Sequence, residues 1–181
     1  SWQQEYTATY STTIGEQHFI DALVGNTRQT STSTYSNIRT NHFTNETLKQ
    51  YNLGDGSGIY TPQTGISEST LNSLIARVNY TLLDRYNATA TFRADNSSRF
   101  SKDHRWGYFP SLGLSWNVDQ ESFLRNIEAI NYLKVRVSGG LVGNQEIPDY
   151  AFSTSYATGS YGGSSSYAKQ NTANDNLKWE T

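Results

Sequence analysis

A chain of 181 residues is long enough for a domain with its own core, and its net charge of −2 provides no basic field for nucleic acid. It contains no cysteine, which excludes disulfide bonds and thiolate metal sites. Only 35% of its residues are hydrophobic, yet 13% are aromatic, and the aromatic residues include 13 tyrosines. This combination is typical of β-rich proteins whose strands have one polar and one apolar face.

Strands are predicted from the first residues onward, because apolar and polar side chains alternate with a period of two. The first strand runs from Trp2 to about Ser11, and a short turn leads to a second strand over about His18 to Gln29. An irregular stretch of about residues 37–70 follows, rich in Asn, Thr, Gly and Ser, and we expect a long loop there. No methionine or leader sequence is present, and we interpret the chain as an internal piece of a longer protein.

The second half of the chain contains the clearest alternation. Strands are predicted over residues 74–82, 86–95, 106–118 and 133–137, with a tight turn at about residues 83–85. Between the last two strands, Asp119 can cap one or two helical turns that extend to Ile130, with Phe123 and Ile127 on the same side as Ile130. Beyond Gln145 the sequence becomes rich in Tyr, Ser and Gly, and strands are placed there only vaguely.

Connection lengths predict an asymmetric sheet. In antiparallel order, alternate connections lie at opposite ends, so one end carries tight turns and the other carries long polar loops. This asymmetry, with strands of about 9 to 13 residues, is expected of an outer-membrane β-barrel. An antiparallel sandwich whose apolar faces pack into a core explains the alternation equally well. From alternation alone both architectures stay open.

Aromatic residues lie near the predicted strand ends. Tyr80 and Tyr86 flank one short turn, Trp116 and Tyr132 flank the connection after residue 117, and Trp106 and Tyr108 lie at the opposite end. In a barrel these residues form two interfacial girdles, whereas the opposite parity, which includes Arg77, Arg93 and Arg136, faces a wet or plugged lumen.

Three motifs occur in order between residues 93 and 145. They are "RADNSSRF", "WGYFPS" and "GNQ", and the motif residues are Arg93, Asp95, Ser97, Ser98, Arg99, Phe100, Trp106, Gly107, Phe109, Pro110, Ser111, Gly143, Asn144 and Gln145. Together they resemble the barrel of SusC-type TonB-dependent transporters of the Bacteroidetes, over roughly residues 74–150. Asn96 stands where the family usually has glycine, Val142 replaces a common threonine and Gly139 a common aromatic residue. The terminal "NLKWET" resembles the start of the family's next strand.

The resemblance implies an all-β fold, an antiparallel transmembrane arc of about six to eight strands from a larger barrel. On this interpretation residues 1–181 belong to the barrel domain of a protein whose plug domain lies outside this sequence. The implied role is TonB-dependent import of glycans or other oligomeric nutrients across the bacterial outer membrane, rather than an enzymatic one. The implied partners are a SusD-like lipoprotein lid, the TonB complex, outer-membrane lipid and a glycan or peptide nutrient.

Individual residues indicate binding rather than catalysis. Arg93 and Asp95 lie two apart on one strand, and an ion pair within the barrel wall is favoured over a contact to plug or substrate. A girdle role is favoured for Trp106 and Tyr108 over sugar stacking. The candidates for contact with a ligand or with the lid protein are the loop tyrosines Tyr60, Tyr150, Tyr156 and Tyr161.

No cofactor or metal is predicted. His18, His42 and His104 are far apart and lack metal-ligand spacing, and the glycine-rich "LGDGSG" at residues 53–58 is interpreted as a flexible loop. Two alternatives to the transporter arc are a surface β-sandwich adhesin or glycan-binding module, with a buried apolar face, and a small complete barrel closed within these residues.

Overall fold

The computed structural model describes residues 1–44, 47, 51–124, 130–162 and 164–181. Its main feature is an antiparallel sheet of six strands, in the order β1-β2-β5-β6-β7-β8. The sheet strands are β1 (Trp2–Ile14), β2 (His18–Asn37), β5 (Gln63–Leu82), β6 (Tyr86–Ser97), β7 (Trp106–Asn117) and β8 (Lys134–Gly140). Two further pairs are β3 (Thr40–Phe43) with β4 (Gly56–Ile59), and β9 (Tyr156–Tyr161) with β10 (Ser164–Lys169).

The chain divides into two compact units. The first comprises residues 1–30 and 69–181 and contains most of the six-stranded sheet together with the β9–β10 hairpin. The second comprises residues 31–68 and contains the β3–β4 pair, with Tyr60 following β4. The predicted long loop is shorter than expected, because β2 extends to Asn37 and β5 already begins at Gln63.

The strand register places the apolar side chains of neighbouring strands side by side. Along one row Val78 pairs with Ala90, Ala90 with Leu112, and Leu112 with Gly139. Because side chains alternate between faces along a strand, this register produces one continuous apolar face across the sheet. We call it the apolar face and the opposite one the polar face.

The apolar face is exposed and does not form a core. Leu112 is 54% exposed, Leu114 48% and Val137 66%. The buried hydrophobic residues of the described chain are few, namely Ala94, Phe100, Phe109 and Val118. The sandwich alternative required this face to be buried between two sheets and is therefore wrong.

The polar face is cross-linked by side-chain hydrogen bonds that run across four strands. Ser11 Oγ donates to Asp21 at 2.8 Å, and Asn79 Nδ2 donates to the same carboxylate at 3.0 Å. Thr89 Oγ1 in turn donates to Asn79 Oδ1 at 2.9 Å. Such cross-strand polar pairs hold neighbouring strands in register.

Short turns connect β1 to β2 and β5 to β6, as predicted. In the second turn Leu83 and Asp84 both have positive φ, 56° and 58°, which is the backbone of the hairpin turns that match strand twist. At the opposite ends of β6 and β7 lies the connection of residues 98–105. Within the described strands β1 and β8 are the two edges of a linear sheet, so the small closed barrel is not formed.

The predicted helix after residue 118 is not found in the described part of this connection. Val118–Gln120 form a single 3₁₀ turn that is preceded by Asn117 rather than by Asp119. Phe123 is 63% exposed and so does not pack as expected, while Ile127 lies outside the described residues. No helix in the described ranges is long and apolar enough to cross a membrane.

Candidate functional site on the polar face of the sheet

The predicted ion pair between Arg93 and Asp95 is formed on the polar face of β6. Arg93 Nε donates to both oxygens of the Asp95 carboxylate at 2.8 Å, and Arg93 Nη2 donates to Ser73 Oγ at 3.2 Å. The Asp95 side chain is only 8% exposed, whereas that of Arg93 is 46% exposed. The carboxylate therefore lies within the wall, and the guanidinium remains accessible from the polar face.

The two serines of the first motif close the end of β6 against β5. Ser98 Oγ accepts the backbone N–H of Thr70 at 2.8 Å, and the Ser98 N–H donates to the Thr70 carbonyl at 2.9 Å. Ser97 is 1% exposed and its Oγ accepts the Arg99 N–H at 3.3 Å. These bonds satisfy backbone groups at the point where the sheet ladder ends.

An aromatic cluster forms where the first two motifs meet the end of the chain. The ring centroids of Phe100 and Trp179 are 5.2 Å apart, and those of Phe109 and Trp179 are 5.3 Å apart in an edge-to-face arrangement. Trp179 Nε1 donates to the Arg105 carbonyl at 2.9 Å, which satisfies the polar edge of the indole. Phe100 is 1% exposed, so this cluster is a small core on the polar face.

Two motif glycines are required by the close approach of these rings. A Cβ at Gly107 would lie 2.9 Å from the indole of Trp179, and a Cβ at Gly143 would overlap the ring of Phe109. Any other residue at either position would displace the cluster.

The third motif is attached to the first by polar contacts. Arg99 Nε lies 2.9 Å from Asp149 Oδ1, and Arg99 Nη1 donates to the Gln145 carbonyl at 3.4 Å. Asn144 and Glu180 form an isolated antiparallel bridge. The family's next strand, which "NLKWET" resembles, is therefore represented in this chain by that bridge.

Trp106 and Pro110 lie apart from this cluster, on the apolar face. Trp106 stacks on Tyr108 with centroids 6.3 Å apart and planes 7° from parallel. Pro110 lies where β7–β8 pairing ends, because the last pair is Ser111 with Gly140 and the Pro110 carbonyl accepts the Leu141 N–H at 3.0 Å. A proline is tolerated at that point because no ladder donor is needed from it.

Of the four tyrosines predicted as loop contacts, Tyr60 and Tyr150 lie in connections, whereas Tyr156 and Tyr161 are the two ends of β9. Tyr60 OH accepts from Asn41 Nδ2 at 3.2 Å, and the Arg39 guanidinium lies 4.7 Å from its ring centroid. Tyr150, 49% exposed, has a φ of 62°, and Tyr156 in β9 is 63% exposed. The side chain of Tyr161 lies outside the described part of the chain.

A second polar cluster lies at the short-turn end around Glu121. Its carboxylate accepts from Tyr86 OH at 2.7 Å, from Trp116 Nε1 at 3.0 Å and from Arg85 Nη1 at 3.1 Å. The hydrogen bonds from Tyr86 and Trp116, with the nearby Arg85 charge, hold the pKa of Glu121 below its usual value. The cluster joins the β5–β6 turn to the chain after β7.

Sequence reasoning missed Trp179, Asp149, Ser73 and Glu121. Trp179 stands in a polar terminal segment, where an isolated tryptophan was the available signal of packing against another element. The other three are common polar residues, and nothing in their local sequence distinguishes them from solvated positions.

The comparisons with known proteins agree with this geometry. A family profile described as TonB dependent receptor-like, beta-barrel, matches residues 1–181. A TonB-dependent receptor of Formosa agariphila is 31% identical over 180 residues, which cover 99% of this chain and 17% of that protein. The TonB-dependent receptor SusC of Bacteroides thetaiotaomicron is 43% identical over 122 residues, covering 63% of this chain and 12% of that protein.

A solved structure of the RagAB peptide transporter superposes with a TM-score of 0.89 at 23% identity, over 98% of this chain and 20% of that chain, which shows the fold. The chain thus spans less than a fifth of the length of these curated relatives. With a family match along its whole length and relatives that include SusC, the chain belongs to the TonB-dependent receptor-like β-barrel family as a SusC-like member.

Proposed function

We propose that this chain is part of the membrane-spanning wall of an outer-membrane transporter that imports oligomeric nutrients, glycans or peptides, in a TonB-dependent manner. The observation that carries the proposal is the exposed apolar face, which runs without interruption across all six sheet strands. Exposed apolar surface of this extent needs an apolar environment, and a wall of paired strands is compatible with lipid once its two edge strands, β1 and β8, are paired as well.

The dimensions of the apolar face support the proposal. Along β7 the aromatic residues Trp116 and Tyr108 bound the apolar residues Leu112 and Leu114. Their separation corresponds to about 27 Å along the strand at about 3.4 Å per residue. With a strand tilt of about 40° from the barrel axis, the height between the two aromatic residues along that axis is about 20 Å, close to the height of the apolar band of outer-membrane barrels.

The proposed partners follow from exposed aromatic residues and from the relatives. Tyr60 in the second compact unit, and Tyr150 and Tyr156 in the first, have exposed side chains that suit contact with a nutrient or with a SusD-like lipoprotein lid. Coupling to the TonB complex belongs to a plug domain outside these residues. The proposal includes both glycans and peptides as nutrients, and a structural neighbour is described as a peptide transporter.

The test is fractionation of the native, full-length protein in cells, followed by detergent extraction and electrophoresis with and without heating. We expect outer-membrane recovery, a heat-dependent shift in mobility and uptake of an oligomeric nutrient that stops when TonB is deleted. Recovery as a soluble protein without a mobility shift would overturn the proposal. Uptake that is unchanged by TonB deletion would overturn the energy coupling.

A further inference from the structure

A cleft of about 390 Å³ opens on the polar face beside the motif residues. The polar-face side chains of β6 and β7 line it, together with the segment that follows β8 and with Trp179. The polar and apolar side chains around its opening include those of Thr91, Arg93, Ser111, Val142, Gln145 and Trp179.

Arg93 presents an open donor edge to this cleft. Its Nε is held by Asp95 and one Nη2 hydrogen by Ser73, while the described residues give Nη1 no hydrogen-bond partner. The planar guanidinium is fixed through Nε, so its orientation is set before any ligand arrives. Nη1 can therefore donate a charge-assisted hydrogen bond to a carboxylate.

The other lining groups favour the same ligand chemistry. Thr91 and Ser111 contribute hydroxyl groups and Gln145 a side-chain amide, all of which can donate to an anion. Among the lining residues in the described part of the chain, Asp95 alone has a carboxylate, and that group is already bonded to Arg93. Val142, 83% exposed, and the indole of Trp179 provide an apolar side for the rest of the ligand.

We infer that this cleft binds a carboxylate group carried by the imported oligomer, with Arg93 as the anion-binding residue. The inference rests on the proposed function, because it concerns the cargo that passes this wall. Two sources supply the same chemistry: a peptide, through its C-terminus, and an acidic glycan, through a uronic acid. Neutral cargo would leave Arg93 Nη1 without an anionic partner, although Nε stays paired with Asp95.

The experiment measures equilibrium binding to the full-length protein purified from the outer membrane in detergent. One pair of probes is an N-acetylated pentapeptide of alanine and leucine with a free C-terminal carboxylate, and its C-terminal amide. The other pair is trigalacturonic acid and its methyl ester. The variants are Arg93→Gln, Ser111→Asp and the matched control Ser111→Asn, each checked for the heat-dependent mobility shift.

Wild-type protein is expected to bind at least one carboxylate probe more tightly than its neutral partner, and the preferred pair identifies the source. Arg93→Gln and Ser111→Asp should each weaken that binding about tenfold to a hundredfold, the range of a hydrogen bond to a charged group. Ser111→Asn adds a side chain of similar size without a charge, so Ser111→Asp should bind the carboxylate probe about tenfold or more weakly than Ser111→Asn. Ser111→Asp keeps the Arg93–Asp95 pair, so it tests the inference even where Arg93→Gln fails to fold.

Equal binding of each carboxylate and its neutral partner would overturn the inference, as would a Ser111→Asp variant with unchanged affinity. Uptake of a neutral oligomer by the same strain is measured in parallel. Absence of any TonB-dependent uptake would overturn the proposed function, whereas intact uptake without a carboxylate preference would overturn the cleft assignment alone.

Discussion

The membrane-facing assignment of the apolar face can be tested by moving one charge between adjacent positions of β7. Leu112 lies about midway between Trp116 and Tyr108, and it is 54% exposed on the apolar face. Gly113, the next residue, lies on the polar face, and a Cβ there would meet only Ser138 Cβ at 3.7 Å, an ordinary contact. The two positions differ in face and hardly in depth.

An arginine at Leu112 would enter the middle of the apolar band, where it costs about 2–4 kcal/mol in a transmembrane barrel. The same charge at Gly113 would lie on the polar face, in contact with water, and we expect the free energy of unfolding to change by less than about 1 kcal/mol. Tyr108→Arg, at the level of the aromatic girdle, should cost about 0–1 kcal/mol. The predicted order of destabilisation is therefore Leu112→Arg well above Tyr108→Arg and Gly113→Arg.

The assay is reversible unfolding in urea of the full-length native protein reconstituted in phospholipid vesicles, followed by its heat-dependent mobility. A cost of about 3 kcal/mol lowers the folded-to-unfolded ratio more than a hundredfold, which the midpoint of unfolding resolves. Equal destabilisation by Leu112→Arg and Gly113→Arg would refute the assignment of faces. A tolerated Leu112→Arg would refute the membrane location of this row.

Three further predictions concern the two clusters. Gly143→Ala should lower the free energy of unfolding by about 1–3 kcal/mol, because the new Cβ overlaps the ring of Phe109. The control Gly139→Ala should be neutral in the same urea assay, because its Cβ meets nothing within 4 Å. Equal effects of the two variants would contradict the cluster geometry. Trp179→Ala should cost about 3 kcal/mol and speed hydrogen exchange of residues 141–147, and unchanged exchange would contradict the role of the indole. Because the pKa of Glu121 is lowered, its carboxylate contributes fully to stability above its usual pKa of 4.5, and that contribution is lost as the pH falls through the pKa of the folded protein. The stability of the Glu121→Gln variant should therefore fall less on acidification than that of the wild type. Parallel pH profiles of the two proteins would contradict this role of Glu121.

The sheet was largely predictable because the alternation within each strand shows which of its side chains share a face. The parity of Leu112 and Leu114 assigns β7 to one face without knowledge of its neighbours, and the register then aligns Ala90 and Val137 with them. Alternation does not show whether the apolar face is covered by a second sheet or left exposed, so it could not distinguish a sandwich from a barrel. That distinction required the exposure of the face, which depends on the whole sheet.

The site was predictable only where its contacts are local. Arg93 and Asp95 are two residues apart on one strand, so period-two geometry alone predicts the pair. Trp179 packs on Phe100 and Phe109 from 79 and 70 positions away along the chain, through a segment with a single bridge instead of a strand. No periodic pattern encodes such a contact. In the described part of the connection after Asn117, the helix expected from Asp119 is a single 3₁₀ turn, because a capping residue does not by itself specify a longer helix.

The motif residues have a common structural role that follows from their positions. Ser98 closes the β5–β6 end, Arg99 holds the segment after β8, and Phe109 with Gly143 seats that segment against Trp179. All of these contacts lie at the end of the sheet opposite the β5–β6 turn. A rigid wall at that end fixes where each loop begins, while the loop sequences themselves are left unconstrained. The resemblance to the family is accordingly concentrated in the wall.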